Sequence, residues 1–367
     1  AILNALDSEK TDADILIMTG GLGPTSDDIT KPLLCEYFNS QLVVNEIVLN
    51  HIKSIFESRK RPIIERNMKQ AEVPECCKVL FNRMGTAPGM WFEKDNTIFI
   101  SLPGVPFEMR CIMEEETLHK LKALTGTLAI VHRTVFTAGE GESFIAEKLI
   151  AFEAALPQNV SLAYLPDAGM VRLRLTGTSD NEQALTAQLN DLQQQIASIL
   201  GNIVIALEDK PVEILLGDTL KAQHKTLALA ESCTGGYIAH CLTQPPGASQ
   251  YLAGGTVCYS IQAKEHTLGV PHETISEFGA VSEQTAVAMA KGALENFGSD
   301  VAIAVTGLLG PDGDGEQVPV GTVWVAAGTR DEMRTRCFKF PYDRPRNKDM
   351  AAKNAMLLLW RLLNDRL

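Results

Sequence analysis

The stretch Ala230-Glu231-Ser232-Cys233-Thr234-Gly235-Gly236 decides the fold of the part of the chain that holds it. It closes the apolar run 226–230, which reads as a buried strand, and its Thr234-Gly235-Gly236 end opens a helix. A strand passing through a small-residue turn into a helix is the unit of an α/β layer fold. Ser232 then stands at the mouth of the sheet, close to helix N–H groups that can stabilise an anion. On the other reading Ser232 is a helix N-cap and the glycines only pack. Outward from this turn, apolar runs at 255–259, 301–306, 322–327 and 335–340 alternate with helical patterns. The last helix, 348–364, is strongly apolar on one side. This domain begins near Pro211.

Two further turns carry chemistry. Gly254-Gly255-Thr256-Val257-Cys258-Tyr259-Ser260 ends a strand, and Lys264 follows on the next helix. A serine nucleophile needs a base, and a desolvated lysine with a lowered pKa is one. Tyr259 could relay a proton or orient the lysine. The plain alternative is a solvent-facing lysine and a half-buried tyrosine. Thr306-Gly307-Leu308-Leu309-Gly310-Pro311-Asp312-Gly313, continued by Pro319-Val320-Gly321-Thr322, reads as an anion-binding loop. Residues 330–353 hold eight Lys or Arg against four acids. That balance suits a phosphorylated small molecule better than a nucleic-acid tract, or marks a solvated face.

The front of the chain repeats the α/β alternation: the tail of a helix at 1–10, a buried strand at 14–18, helices at 28–39, 45–60 and 106–123, a strand at 78–82 and a hairpin around Lys94-Asp95-Asn96. A sheet seldom starts this way, which predicts a piece before Ala1. Thr19-Gly20-Gly21-Leu22-Gly23-Pro24-Thr25-Ser26-Asp27-Asp28-Ile29-Thr30 follows the first strand and leads into a helix. Glycines let backbone N–H groups approach a phosphate, and Thr25 and Ser26 add hydroxyls. Asp27 and Asp28 either hold a divalent cation beside that phosphate or cap the helix. The loops holding Thr86 (82–89) and Pro103-Gly104 (102–106) would line the same cleft if they lie at the same sheet edge.

Between these parts, after a linker at Thr125-Gly126-Thr127, lies a small α+β unit. It has strands at 129–137 and 203–206, helices at 142–155 and 181–200, and a hairpin turning at Pro166-Asp167-Ala168-Gly169. Val171-Arg172-Leu173-Arg174-Leu175 alternates as a strand with one buried face does.

The chain has 367 residues, 45% hydrophobic and 21% charged, an ordinary globular balance that excludes global disorder. Lys plus Arg is 33 against 45 Asp plus Glu, a net charge of −12, which argues against a nucleic-acid coat protein. No apolar run approaches the roughly 18 residues of a membrane span, and no secretory signal opens the chain. The eight cysteines lack C-x-x-C spacing, so reduced, buried thiols in a cytoplasmic protein fit better than disulfides or zinc.

These motifs carry a resemblance. The run 19–30, with Gly85-Thr86-Ala87-Pro88-Gly89 and Pro103-Gly104-Val105-Pro106, looks like the molybdopterin-binding-like domain that opens the CinA (competence/damage-inducible) family. The resemblance implies a phosphate site at Gly20, Gly21, Gly23, Thr25, Ser26, Asp27, Asp28, Thr86, Pro103 and Gly104. It also implies metal-dependent ADP-ribose pyrophosphatase activity, for which Asp27 and Asp28 are the candidate metal ligands on the first of their two readings. The family's opening strand and Gly-Asp-Glu turn have no counterpart here. The middle unit resembles the family's KH-type domain. Its Gly139-Glu140-Gly141-Glu142 turn lacks the cation-flanked Gly-x-x-Gly of RNA binders, so a scaffold or dimer contact is expected.

The third part resembles the family's C-terminal domain, which deamidates nicotinamide mononucleotide without a cofactor. It shares Ala-Glu-Ser-Cys-Thr-Gly-Gly, Tyr-Ser followed by Lys, Gly-Ala-Val-Ser (279–282), Thr-Gly-x-x-Gly-Pro and Pro-Val-Gly-Thr-Val. The resemblance maps the nucleophile onto Ser232, with Lys264 and Tyr259 beside it, and substrate binding onto Thr234, Gly235, Gly236, Thr306, Gly307, Gly310 and Arg344. Ile261, Leu309 and Asp314 depart from the usual pattern. The expected organisation is α/β multidomain, two layered α/β domains (1–124 and 209–367) joined by a small KH-type α+β domain (125–208), in a cytoplasmic homodimer. The rival expectations are a non-catalytic nucleotide-binding or assembly protein, and ADP-ribose pyrophosphatase as the main activity.

Overall fold

The computed structural model describes residues 2–124, 128–313 and 318–366. The linker expected at Thr125-Gly126-Thr127 and the departure at Asp314 lie outside the described residues. The α/β chain divides into two compact units, 1–127 and 128–367. No helix of the described residues is long and apolar enough to cross a membrane.

In the first unit, strands Ile15–Thr19, Thr97–Leu102, Gly89–Lys94 and Lys78–Leu80 form one sheet in that spatial order. Only the first pair is parallel. Asp95 and Asn96, at φ 50° and 64°, make the two-residue turn between Lys94 and Thr97, the geometry that matches strand twist. The first strand was expected to be buried. It is instead an edge strand with Ile17 48% exposed, because it pairs on one side only among the described residues. The helix expected at 106–123 is also interrupted. Pro106–Ile112 passes into a wider turn, Met113–Thr117, before Leu118–Leu124, and the Thr117 hydroxyl donates to the Ile112 carbonyl at 3.2 Å.

The second unit holds two sheets. In the first, Val204–Ala206, Ala129–Ala138, Met170–Ser179 and Val160–Asp167 are all antiparallel. Val171, Leu173 and Leu175 are buried with Leu149 and Leu189 from the helices Glu142–Ala154 and Glu182–Leu200. In the second, the order is Leu252–Val257, Leu227–Glu231, Val301–Gly307, Thr322–Gly328 and Met333–Lys339. The first three strands are parallel and the last two antiparallel.

Alternation of side-chain size assigns the two faces of this sheet. Leu227, Leu229, Val301, Ile303 and Val305 point one way, into a core with Leu216, Met356 and Leu359. Ala228, Ala230, Ala302 and Ala304 point the other way, toward Ala286, Ala290 and Ala293 of the helix Glu283–Phe297. Small residues on both surfaces let that helix lie close, and a fully buried leucine or isoleucine on the opposite face contributes about 1.5–3 kcal/mol. Phe136, Ala138, Met170 and Ile205 of the first sheet join the larger core. The last helix, Arg344–Leu363, starts one turn earlier than 348, because Asp343 caps it by accepting the Arg346 N–H at 2.9 Å. Pro345 fits in that first turn, where no N–H is needed.

All eight cysteines are free, but only Cys111, Cys233 and Cys258 are buried. Cys337 is exposed on an edge strand and Cys76 sits in a turn, so the expectation of generally buried thiols is corrected.

Candidate functional site

From the strand Leu227–Glu231 the chain goes first to the strand on one side and then to the strand on the other. Such a reversal opens a crevice beyond the carboxyl ends of parallel strands. Ser232 is the first residue past that end. Its N–H continues the ladder to the Val305 carbonyl at 3.0 Å, and its side chain is buried.

Lys264 meets it there. Its Nζ lies 2.9 Å from Ser232 Oγ and donates to the Cys258 carbonyl at 2.9 Å. The lysine is 2% exposed, so the solvent-facing alternative is ruled out. Burial is the largest influence on its pKa and lowers it, because a charged ammonium loses its hydration there. The local sequence explains the placement. Ser260 caps the helix Ile261–Leu268 by accepting the Ala263 N–H, and Lys264 falls on the inward side of that helix.

Tyr259 lies just beyond its strand and is 60% exposed. Its oxygen accepts a hydrogen bond from Arg344 Nη2 at 2.8 Å, and Arg344 Nη1 donates to the Gly310 carbonyl at 2.7 Å. Asn347, fully buried, holds the same loop by donating to the Leu309 carbonyl. Ser232, Lys264, Tyr259, Gly310 and Arg344 are thereby connected by hydrogen bonds and chain adjacency. Leu309 is buried beneath the loop, and Ile261 is half exposed in the first turn of its helix.

Three expectations are corrected here. Ser232 is not an N-cap: Gly236, at φ 90°, is the N-cap of the helix Tyr237–Thr243. Nor are the helix N–H groups free for a substrate. The Glu231 carboxylate accepts those of Gly236, Ile238 and Ala239, and the Gly235 N–H donates to the Ser232 carbonyl. Thr306 was expected to bind substrate, but its buried hydroxyl donates to the Ala280 carbonyl at 2.7 Å, tying down the 279–282 turn. Gly307 is small because a Cβ there would stand 2.6 Å from the Thr322 carbonyl oxygen. Thr234 differs: fully buried, its Oγ1 has no hydrogen-bond partner among the described residues.

Sequence reasoning gave Glu231 no role, although a charge closing the otherwise apolar strand Leu227–Glu231 was a signal, since buried charges require partners.

In the first unit, the Gly20 N–H donates to the Leu102 carbonyl, and a Cβ on Gly104 would lie 3.3 Å from Gly20 Cα. The Pro103-Gly104 loop therefore does share the sheet edge with the glycine-rich turn. Asn82 Nδ2 donates to the Ala87 carbonyl and to Glu108 Oε2, closing the loop that carries Thr86. Gly21 leaves room for Thr30, whose Oγ1 donates to the Gly20 carbonyl. Gly23, Thr25 and Asp28 line a cavity of about 630 Å³ together with Lys31, Arg66 and Lys69.

Neither aspartate caps the following helix, whose N-cap position is Ile29. Asp28 accepts the hydroxyl and backbone N–H of Thr25, and the hydroxyl bond foremost lowers its pKa. Ser26 and Asp27 are exposed. Among the described residues no three His, Cys, Asp or Glu side chains gather as a metal set. Lys31 was missed by sequence reasoning: it is buried, donates to the Gln70 carbonyl at 2.8 Å, and burial brings its pKa down to about 8.

Three family models match: the probable molybdopterin binding domain over 1–123, the damage-inducible protein CinA KH domain over 132–206, and the CinA C-terminal domain over 209–363. A CinA-like protein of Cytophaga hutchinsonii is 44% identical over 367 residues, covering 99% of this chain and 87% of that protein. A CinA-like protein of Flavobacterium psychrophilum is 42% identical over 362 residues, covering 98% and 87%. A putative competence-damage inducible protein of Caldicellulosiruptor bescii is 41% identical over 362 residues, with the same coverage.

Proposed function

This chain belongs to the CinA family, and from that premise we propose that its C-terminal part is a serine amidohydrolase. The substrate is nicotinamide mononucleotide, and the products are nicotinate mononucleotide and ammonia. The observation that carries the reading is the 2.9 Å approach of Lys264 Nζ to Ser232 Oγ, with both groups buried beyond the ends of the parallel strands.

Ser232 Oγ attacks the carboxamide carbon while its proton passes to neutral Lys264. Turn amides stabilise the tetrahedral oxyanion, each such donor contributing about 3 kcal/mol. Lys264 returns the proton to the amide nitrogen as the C–N bond breaks, and ammonia leaves. Water then attacks the acyl ester, giving its proton to Lys264, and the acid departs as Ser232 regains a proton. Arg344, fixed beside Tyr259 and the Gly310 loop, is the cation for the substrate's phosphate.

The test is ammonia release from nicotinamide mononucleotide by the full chain, with Ser232→Ala as its control. A wild-type rate in Ser232→Ala would eliminate the nucleophile. Absence of turnover by a folded wild-type chain would favour a non-catalytic binding role. The cavity lined by Lys31, Arg66 and Lys69 favours a second reading for the first unit, hydrolysis of ADP-ribose. Release of AMP in the presence of a divalent cation tests it.

A further inference from the structure

We infer that Glu231 is a positioning residue, which holds the Ser232 turn against Lys264 by binding the start of the next helix. This rests on reading Ser232 as the nucleophile. The carboxylate is 1% exposed and accepts the N–H groups of Gly236 at 3.0 Å, Ile238 at 3.1 Å and Ala239 at 2.9 Å. A carboxylate withdrawn from water is costly unless its charge is met by donors. Three amides at the positive end of a helix meet it. That helix has no other side-chain cap, and Gly235 and Gly236 turn the chain back at φ 61° and 90°. Ser232 opens the loop so closed.

The backbone of Glu231 reaches the base as well. Its carbonyl accepts the Cys258 N–H at 2.7 Å, and the Cys258 carbonyl in turn accepts Lys264 Nζ. One residue therefore braces both the strand end that carries the nucleophile and the segment that carries the base. It also decides which donors remain. Ser232, Gly235 and Tyr237 spend their N–H groups on the Val305, Ser232 and Thr234 carbonyls. The Cys233 and Thr234 amides carry no such bond among the described residues, and they lie beside the unpartnered Thr234 hydroxyl. The oxyanion site is thus the turn itself, and the substrate's phosphate is excluded from the helix end.

Glu231→Gln keeps the size but sets an NH2 group against helix donors. In the full chain, kcat for ammonia release should fall about 10²-fold, the cost of a small misplacement of the nucleophile. KM should stay within about threefold, since the phosphate is held elsewhere. Labelling of Ser232 by a fluorophosphonate, in which the Ser232 Oγ–phosphorus bond forms as fluoride leaves and the serine proton passes to Lys264, should slow by the same factor. Unchanged labelling and kcat in a variant with native near-UV circular dichroism would overturn the inference, as would a rise in KM alone.

Amide exchange of the wild-type chain requires no variant: free-peptide rates at Gly236, Ile238 and Ala239 would also overturn it. If the wild-type serine is labelled but nicotinamide mononucleotide is not turned over, the substrate reading fails while the labelling arm still decides this one. If wild-type Ser232 resists labelling, both fail.

Discussion

Arg344 reaches the Tyr259 hydroxyl oxygen from 85 residues away, donating Nη2–H at 2.8 Å. Because the oxygen accepts there, the phenolic proton is free to point into the crevice. Because the guanidinium also holds the Gly310 carbonyl, it is fixed before any substrate arrives. Preorganised charge of this kind costs no ordering at the moment of binding.

The pair should therefore act as a unit. Arg344→Ala should raise KM for nicotinamide mononucleotide about tenfold or more, the scale of a hydrogen bond to a charged group. Tyr259→Phe should do part of the same damage, and the double variant should be less than additive. Coupling below about 0.5 kcal/mol in the mutant cycle would show that the contact is idle.

If Lys264 is the base, the proposed reaction should be pH-dependent. Only the neutral amine accepts the Ser232 proton, and burial lowers its pKa from the ordinary 10.5. The rate should rise with pH through that lowered value and fall about tenfold per unit below it. Lys264→Met should remove both this limb and nearly all turnover. A limb appearing only near the ordinary lysine value would mean that the buried amine is not the base.

Lys31 should leave a signature in stability. Its pKa is about 8 in the folded state against 10.5 ordinarily, so between those values the unfolded chain binds the extra proton. Stability therefore rises with pH across that window, by an amount on the order of 3 kcal/mol, and is lost as pH falls through about 8. Denaturant unfolding of the wild type against Lys31→Met, at several pH values, isolates this contribution. A constant difference from pH 8 to 10.5 would contradict the buried placement.

Gly292 tests how closely the helix Glu283–Phe297 packs against the end of the helix Ile261–Leu268. A Cβ there would stand 1.9 Å from the Leu268 carbonyl oxygen, and backbone cannot swing aside as a flexible side chain can. Despite alanine's better helix propensity, Gly292→Ala should destabilise by about 1–3 kcal/mol. A thermal midpoint equal to or above that of the wild type would show that the helix is not so closely seated.

Much of this molecule is legible along the chain. Leu227–Glu231 could be read as a strand because apolar content and turn chemistry act over a few residues. The Asp95-Asn96 turn announced itself by residue type, and Ser232 and Lys264 stood out as a nucleophile and base on successive turns. The sequence by itself therefore determined the elements, their order and the kinds of chemistry available. Which polar groups are already spent was decided by tertiary structure. Thr306 and the helix N–H groups looked free for a ligand, yet Ala280 and Glu231 take them up. Lys264 could have faced water, and the first strand could have lain mid-sheet. Burial and hydrogen-bond partnership depend on how layers stack and which strand lies beside which, and those contacts join residues 32 or 85 positions apart. No local periodicity encodes such separations.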